Sequence, residues 1–129
     1  MGKKLTDKVV GFIYEYFRTD NNEIVYRGSS EHKEGFNRTP IENVDFWHRE
    51  GETTNNPKFP YKYTVFRSNL RRPFGNKVKI KILTEPKEMT REELLTLEGE
   101  MIQERQSKGQ CYLNHDPDPL KTWKRYKNE

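Results

Sequence analysis

Glu98 stands where a carboxylate is hardest to explain. It lies four residues after Leu94, three after Leu95, three before Met101 and four before Ile102. On a helix those positions share one face, so Glu98 falls in the middle of an apolar stripe. Glu100 and Glu104 fall on the polar face. Taking a carboxylate out of water costs several kcal/mol unless it is paired or holds a metal. Two explanations follow from the residue alone. Glu98 pairs with an arginine or sits at the rim of a narrow stripe, or it faces a cleft as a metal ligand or an acid/base. Tyr14 and Tyr26 form the second constellation. Each lies in a stretch with strand character, and alternation puts both side chains on one face of a hairpin. Two phenols so placed are either an aromatic cross-strand pair or a pair of proton-handling groups.

The elements that must position these residues are legible in order. Val9–Phe17 is rich in β-branched and aromatic residues and predicts a strand. Thr19-Asp20-Asn21-Asn22 is a turn, Glu23–Arg27 a second strand, and Gly28-Ser29-Ser30 its stop. The expected pairing sets Tyr14 opposite Tyr26, Tyr16 opposite Ile24 and Phe12 opposite Gly28. Ile13 and Arg27 then face the other way, with Glu15 diagonally near Arg27. Thr39-Pro40-Ile41-Glu42 starts a short helix to about Arg49, with Ile41, Val44 and His48 on one stripe. Residues 51–60 read as loop. Tyr61 to Arg72 reads as helix, with Tyr63, Phe66 and Leu70 inward and Arg67 and Arg71 one turn apart. Val78–Leu83 alternates apolar residues with lysine, as a half-exposed strand does. Thr90-Arg91-Glu92-Glu93 is a capping box that opens a helix to about Gln106. Residues 115–129 form a basic C-terminal extension. The order is β-β-α-α-β-α plus a tail.

Composition bounds the rest. The chain has 129 residues, of which 31% are hydrophobic and 34% charged, and none is alanine. Aromatic residues make up 12%, which disfavours a disordered chain and predicts one small domain with a core of few, large side chains. No apolar run approaches the ~20 residues of a membrane span. Met-Gly-Lys-Lys at the start has no apolar stretch behind it, so no secretory signal is expected. A single cysteine, Cys111, excludes an internal disulfide and a cysteine-rich zinc site, and reads as a small buried hydrophobe. Together these features predict a soluble, cytoplasmic protein. The net charge of +4 is a mild excess. Its basic residues gather in Lys58–Lys81 and Lys121–Lys127, and its acidic ones in Glu85–Glu104. That distribution suits either an ordinary solvated surface or a phosphate-facing side.

Gly11-Phe12-Ile13-Tyr14, a turn, and Tyr26-Arg27-Gly28 resemble the signature of the GIY-YIG nuclease superfamily. Leu97-Glu98 with Ile102, and Leu113-Asn114, resemble the family's later glutamate helix and downstream asparagine. Tyr61–Leu83 is similar to its helix, Gly-containing turn and strand. The resemblance spans roughly residues 9–114. It implies an α+β sandwich with a central three-stranded antiparallel sheet flanked by helices. It also implies metal-dependent hydrolysis of DNA phosphodiester bonds, of restriction, repair or phage-borne type. Glu98 would hold one Mg²⁺ or Mn²⁺, Tyr14 would act as or with the general base, and Tyr26 would position the water or phosphate. The family's helix arginine falls on either Arg38, just before the helix, or Arg49, near its end; Arg38 is favoured for transition-state charge and His48 as a phosphate contact or proton shuttle. Gly28 and Asn114 take structural places. Lys33, Arg67, Arg71, Lys124 and Arg125 would contact nucleic acid. Arg27 departs from the pattern, which usually has Ile or Val there, and is expected to pair with Glu15. The chain has no room for a separate DNA-recognition domain, so specificity would be limited, or come from a homodimer or a partner protein. The alternative expectation is a catalytically weakened nucleic-acid-binding module on the same fold.

Overall fold

The computed structural model describes residues 3–31, 41–42, 44–45, 77–114 and 116–127. Three strands form one antiparallel sheet in the order β2-β1-β3. They are β1 (Lys8–Arg18), β2 (Ile24–Glu31) and β3 (Val78–Thr90). Two helices follow, α1 (Arg91–Gln106) and α2 (Pro119–Lys127). This is the small α+β fold that the order of strands and helices predicts. Ile41, Glu42, Val44 and Asp45 are helical, as the Thr39-Pro40 start implies. The expected helix over Tyr61–Arg72 lies outside the described residues, as do Lys33, Arg38, His48, Arg49, Arg67 and Arg71. Among the described residues no helix is long and apolar enough to cross a membrane.

The pleat of β1 sorts the core into two layers. Phe12, Tyr14 and Tyr16 point to one face, where they cluster with Val25, Tyr26, Val78 and Leu113. Ile41, Val44, Ile80 and Ile82 pack against that cluster, and the Tyr16 hydroxyl donates to Asp45 Oδ1 at 2.9 Å. Ile13 points the other way and packs with Met89 and Leu94 beneath α1. Gly11 lets α1 come this close, because a Cβ there would lie 2.8 Å from both methyl groups of Leu94. The aromatic core read from composition is this first layer.

Three expectations need correction. The hairpin register differs by two residues: Tyr14 stands opposite Gly28, Tyr16 opposite Tyr26 and Phe12 opposite Ser30. A two-residue shift leaves every side chain on its face, so the tyrosines still share one side. Gly28 does not stop β2, which continues to Glu31. β3 extends well past Leu83 to Thr90. Its register against β1 shifts between Gly11 and Ile13, where Thr84 and Lys87 are the successive partners. Pro86 therefore sits in a bulge, the place in a strand where a missing N–H is tolerated. The Ile13 amide there donates instead to Thr84 Oγ1 at 3.0 Å.

α1 begins where its capping box predicts. Thr90 Oγ1 accepts the Glu93 amide at 3.1 Å, and Glu93 Oε1 accepts the Thr90 amide at 3.2 Å. The C-terminal extension is a helix seated on α1. Trp123 lies under the Arg91 guanidinium at 5.5 Å, and Gln103 Nε2 donates to the Pro117 carbonyl at 2.8 Å.

Candidate active site

β2 and α1 run past each other, joined by polar side chains along their length. At one end Arg27 Nη1 donates to the Met101 carbonyl at 2.9 Å and to Glu104 Oε1 at 3.2 Å. At the other, Arg91 Nε donates to Glu31 Oε1 at 2.6 Å. Between them the Ser29 hydroxyl donates to Glu98 Oε1 at 2.5 Å. Arg27, Ser29 and Glu31 alternate along β2 onto the α1 face. Glu98 is 6% exposed, within the buried row Arg91, Leu94, Glu98 and Ile102. Its place in the middle of the stripe is therefore as the helical spacing requires.

The tyrosines occupy the opposite face. Their ring centroids lie 6.4 Å apart with planes 30° off parallel. Both are largely buried, Tyr14 to 4% exposure and Tyr26 to 2%. Gly28 sets the position of Tyr14. A Cβ on Gly28 would lie 2.5 Å from the Tyr14 hydroxyl oxygen, so the phenol occupies the space a side chain would fill. The Tyr14 hydroxyl thus lies over Gly28, and the Glu98 carboxylate meets the next residue, Ser29, from the other side of the strand.

β2 is an edge strand, and part of its outer edge is covered from within the chain. The Cys111 amide donates to the Ile24 carbonyl at 2.8 Å and the Leu113 amide to the Val25 carbonyl at 3.1 Å. Asn114 then acts as a further strand residue. Its Oδ1 accepts the Arg27 amide at 2.9 Å, and its Nδ2 donates to the Arg27 carbonyl at 2.8 Å. Among the described residues the cover ends at Arg27. Ser29 is the next residue whose backbone faces that edge, since antiparallel pairing alternates the direction of these groups. Cys111 is fully buried in this cover, and burial pushes its thiol up to about 11.

No family model, curated protein or solved structure matches the chain.

Arg27 is placed by its neighbour across the hairpin. Arg27 stands opposite Glu15 across the hairpin, and its Nε donates to Glu15 Oε1 at 3.0 Å. Both side chains are buried. Lys81 Nζ lies 3.3 Å from the other Glu15 oxygen, Oε2. The arginine is accommodated in this buried position because a carboxylate is buried with it. Glu104 extends this cluster: Lys108 first, and then Arg27, hold its carboxyl below the usual carboxylate range.

Among the described residues no group of three or more His, Cys, Asp or Glu converges on a point. Among the described residues the donor set at Glu98 is its own carboxylate, whose Oε1 accepts the Ser29 hydroxyl. That suits Mg²⁺ or Mn²⁺, hard ions that keep most of their water and take one or two carboxylates, and does not suit a zinc cage. Lys124 and Arg125 are exposed on α2. Two residues of the region escape a reading of sequence alone. Ser29 reads as part of a turn, yet it lies two residues from Arg27, and strand alternation beyond Gly28 would have aimed it at α1. Arg91 reads as a first-turn residue but is buried, and its guanidinium also donates to the Lys4 carbonyl at 2.6 Å and Asp7 Oδ2 at 3.0 Å.

Proposed function

We propose that this protein is a metal-dependent DNA endonuclease of GIY-YIG type, with Glu98, Tyr14 and Tyr26 as its catalytic set. The observation that carries this reading is the pair of consecutive residues Gly28 and Ser29. The first makes room for the Tyr14 phenol and the second binds the Glu98 carboxylate. The two groups with unusual positions in the sequence thereby meet one short stretch of an edge strand. Gly28 also gains a physical reason in the signature, because any side chain there would displace the phenol.

In this mechanism the scissile phosphate lies along the outer edge of β2 beyond Arg27. Glu98 supplies the carboxylate for Mg²⁺ or Mn²⁺, which would polarise the phosphate and stabilise the leaving oxygen. Tyr14, as its phenolate, takes the proton of the attacking water and becomes the neutral phenol, and Tyr26 orients that water or the phosphate. A phenol has an ordinary pKa near 10, so it serves as a base only beside positive charge. The metal or nearby cations would supply that charge, while Arg38 would meet the transition-state charge and His48 would contact the phosphate or shuttle a proton. Lys124 and Arg125, with Lys33, Arg67 and Arg71, would contact the DNA backbone. A homodimer or a partner protein would supply specificity.

The burial of Tyr14 and Tyr26 supports a second reading, a nucleic-acid-binding module in which the two rings serve the core. Incubating supercoiled plasmid with the protein, with Mg²⁺ or Mn²⁺ and with chelator, separates the two. The endonuclease converts plasmid to open circles only when metal is present. Salt-sensitive binding without nicking in either metal would instead favour the module.

A further inference from the structure

We infer that the face of the sheet beneath α1 carries a phosphate-binding surface, formed by Lys79 and Lys81 of β3 with Arg105 and Lys108 at the end of α1, and that its occupant is the DNA backbone. The inference rests on the partner being nucleic acid, which both readings above share. It assigns residues that neither reading uses.

A line of ion pairs crosses all three strands and ends at the C-terminus of α1. Lys79 and Lys81 stand opposite Phe17 and Glu15, so strand alternation turns both lysines to the face on which α1 packs. Lys81 Nζ lies 3.3 Å from Glu15, Glu15 holds Arg27, and Arg27 holds Glu104. Glu104 in turn meets Arg105 at 3.4 Å and Lys108 at 3.0 Å. The order of charges along this line decides what it can bind. Glu15 and Arg27 are buried in its middle and offset each other. Lys81 and Lys108 stand at its two ends, with side chains 56% and 58% exposed. Two carboxylates thus serve four cations, and Lys79 adds a fifth, exposed, beside Lys81. The excess positive charge lies where a polyanion can reach it. The Lys81 ammonium is also held over the Phe17 ring, 5.1 Å from its centroid, so it is in place before a phosphate arrives.

Edge strands commonly carry lysine simply to discourage pairing with other chains. The far end of the same strand shows the difference. There Lys87 shares a groove with Glu88, Glu92, Glu93 and Glu100, and Lys87 and Lys8 both lie close enough to lower the Glu93 carboxyl. Those lysines are spent on carboxylates. Arg105 is seven residues past Glu98, about 10 Å along α1 and so about three nucleotides at about 3.4 Å each. A strand crossing the surface therefore lies close to the proposed metal carboxylate.

Binding of a short fluorescent DNA duplex to the intact protein, in chelator and across a salt series, tests the surface apart from cleavage. Lys79→Gln with Lys81→Gln is compared with Lys8→Gln with Lys87→Gln, which removes the same charge from the same two faces of chemistry at the other end of the sheet. Thermal unfolding identifies a variant that does not fold, and Lys79→Gln alone keeps the Lys81–Glu15 pair. The expected result is that the first pair weakens binding about 10–100-fold at 0.1 M salt and lowers the salt slope by about 2, that Lys79→Gln or Lys108→Gln alone lowers it by about 1, and that the second pair stays within a few-fold of wild type. If both pairs weaken binding alike, or the first binds as wild type does, the surface is an ordinary solvated face and the inference fails. If wild type binds no DNA, the surface and the nucleic-acid reading fall together. If wild type binds through these lysines but nicks no plasmid with Mg²⁺ or Mn²⁺, the surface stands and the endonuclease reading falls.

Discussion

A side chain at position 28 and the Tyr14 phenol cannot occupy the same space. Gly28→Ala would bring a Cβ within 2.5 Å of the Tyr14 hydroxyl oxygen. The phenol must then swing away. We expect nicking to fall about 10²-fold, as a misplacement near 1 Å commonly does, with a stability loss of about 1–3 kcal/mol from overpacking. Plasmid nicking and urea denaturation of the same variant check both. Tyr14→Phe keeps the ring in the core and removes only the hydroxyl. Its nicking rate should fall about 10²–10⁴-fold if the phenol handles the proton, and an unchanged rate would assign Tyr14 to packing. Much at this scale was legible in the sequence. Glu98 betrayed itself by breaking an apolar stripe, and strand alternation put Tyr14 and Tyr26 on one face. The register was not legible, because a shift of two residues preserves every face and so leaves the hydrophobic pattern unchanged. Ser29 stayed hidden because Gly28 reads as a strand stop when the phenol above it is not in view.

β2 is held on one side by its hairpin partner β1 and on the other by residues distant in sequence. Arg27 and Glu15 are a buried, directly opposed pair. Removing Arg27 leaves the buried Glu15 carboxylate with the exposed Lys81 as its remaining ion-pair partner among the described residues, so Arg27→Ile should destabilise by up to about 3–5 kcal/mol. Adding Glu15→Leu to Arg27→Ile should recover most of that loss, and a double-mutant cycle in urea measures the coupling. On the other edge, Asn114→Ala removes two hydrogen bonds to the Arg27 backbone and leaves a buried N–H and C=O without their partner. Each such loss costs about 1–3 kcal/mol, and the urea midpoint should fall accordingly. The capping box of α1 was legible because its signal is local. The bulge at Pro86 was not, since proline reads as a strand end until β1 is known to run alongside. Nor was the edge cover by Cys111–Asn114, which joins residues some 87 positions apart.

The whole molecule carries a modest net charge of +4, so its sites of charge matter more than the total. Lys124 and Arg125 are exposed on a helix that docks on α1 through Trp123 and Gln103. If that helix follows a DNA backbone, replacing both residues by alanine should weaken binding on all sequences. It should also lower the salt slope by about 2, one for each phosphate no longer neutralised. Binding measured across a salt series checks this. Stability should fall in acid. Asp7, through its hydrogen bonds with the Lys4 backbone and with Arg91, and Glu104, through Lys108 and Arg27, have carboxyls held below their ordinary range. Their contribution is complete above the pKa of the unfolded chain and is lost as pH falls through the lower folded value. Unfolding midpoints should therefore drop below about pH 4. The central claim is that Glu98 serves chemistry and not packing. Nicking of supercoiled plasmid by wild type and Glu98→Ala at saturating Mg²⁺, with DNA binding measured in the same buffer, tests it most directly. Wild type should nick, and Glu98→Ala should bind equally well yet nick at least about 100-fold more slowly. An inert wild type, or a Glu98→Ala protein that nicks at the wild-type rate, would contradict the account.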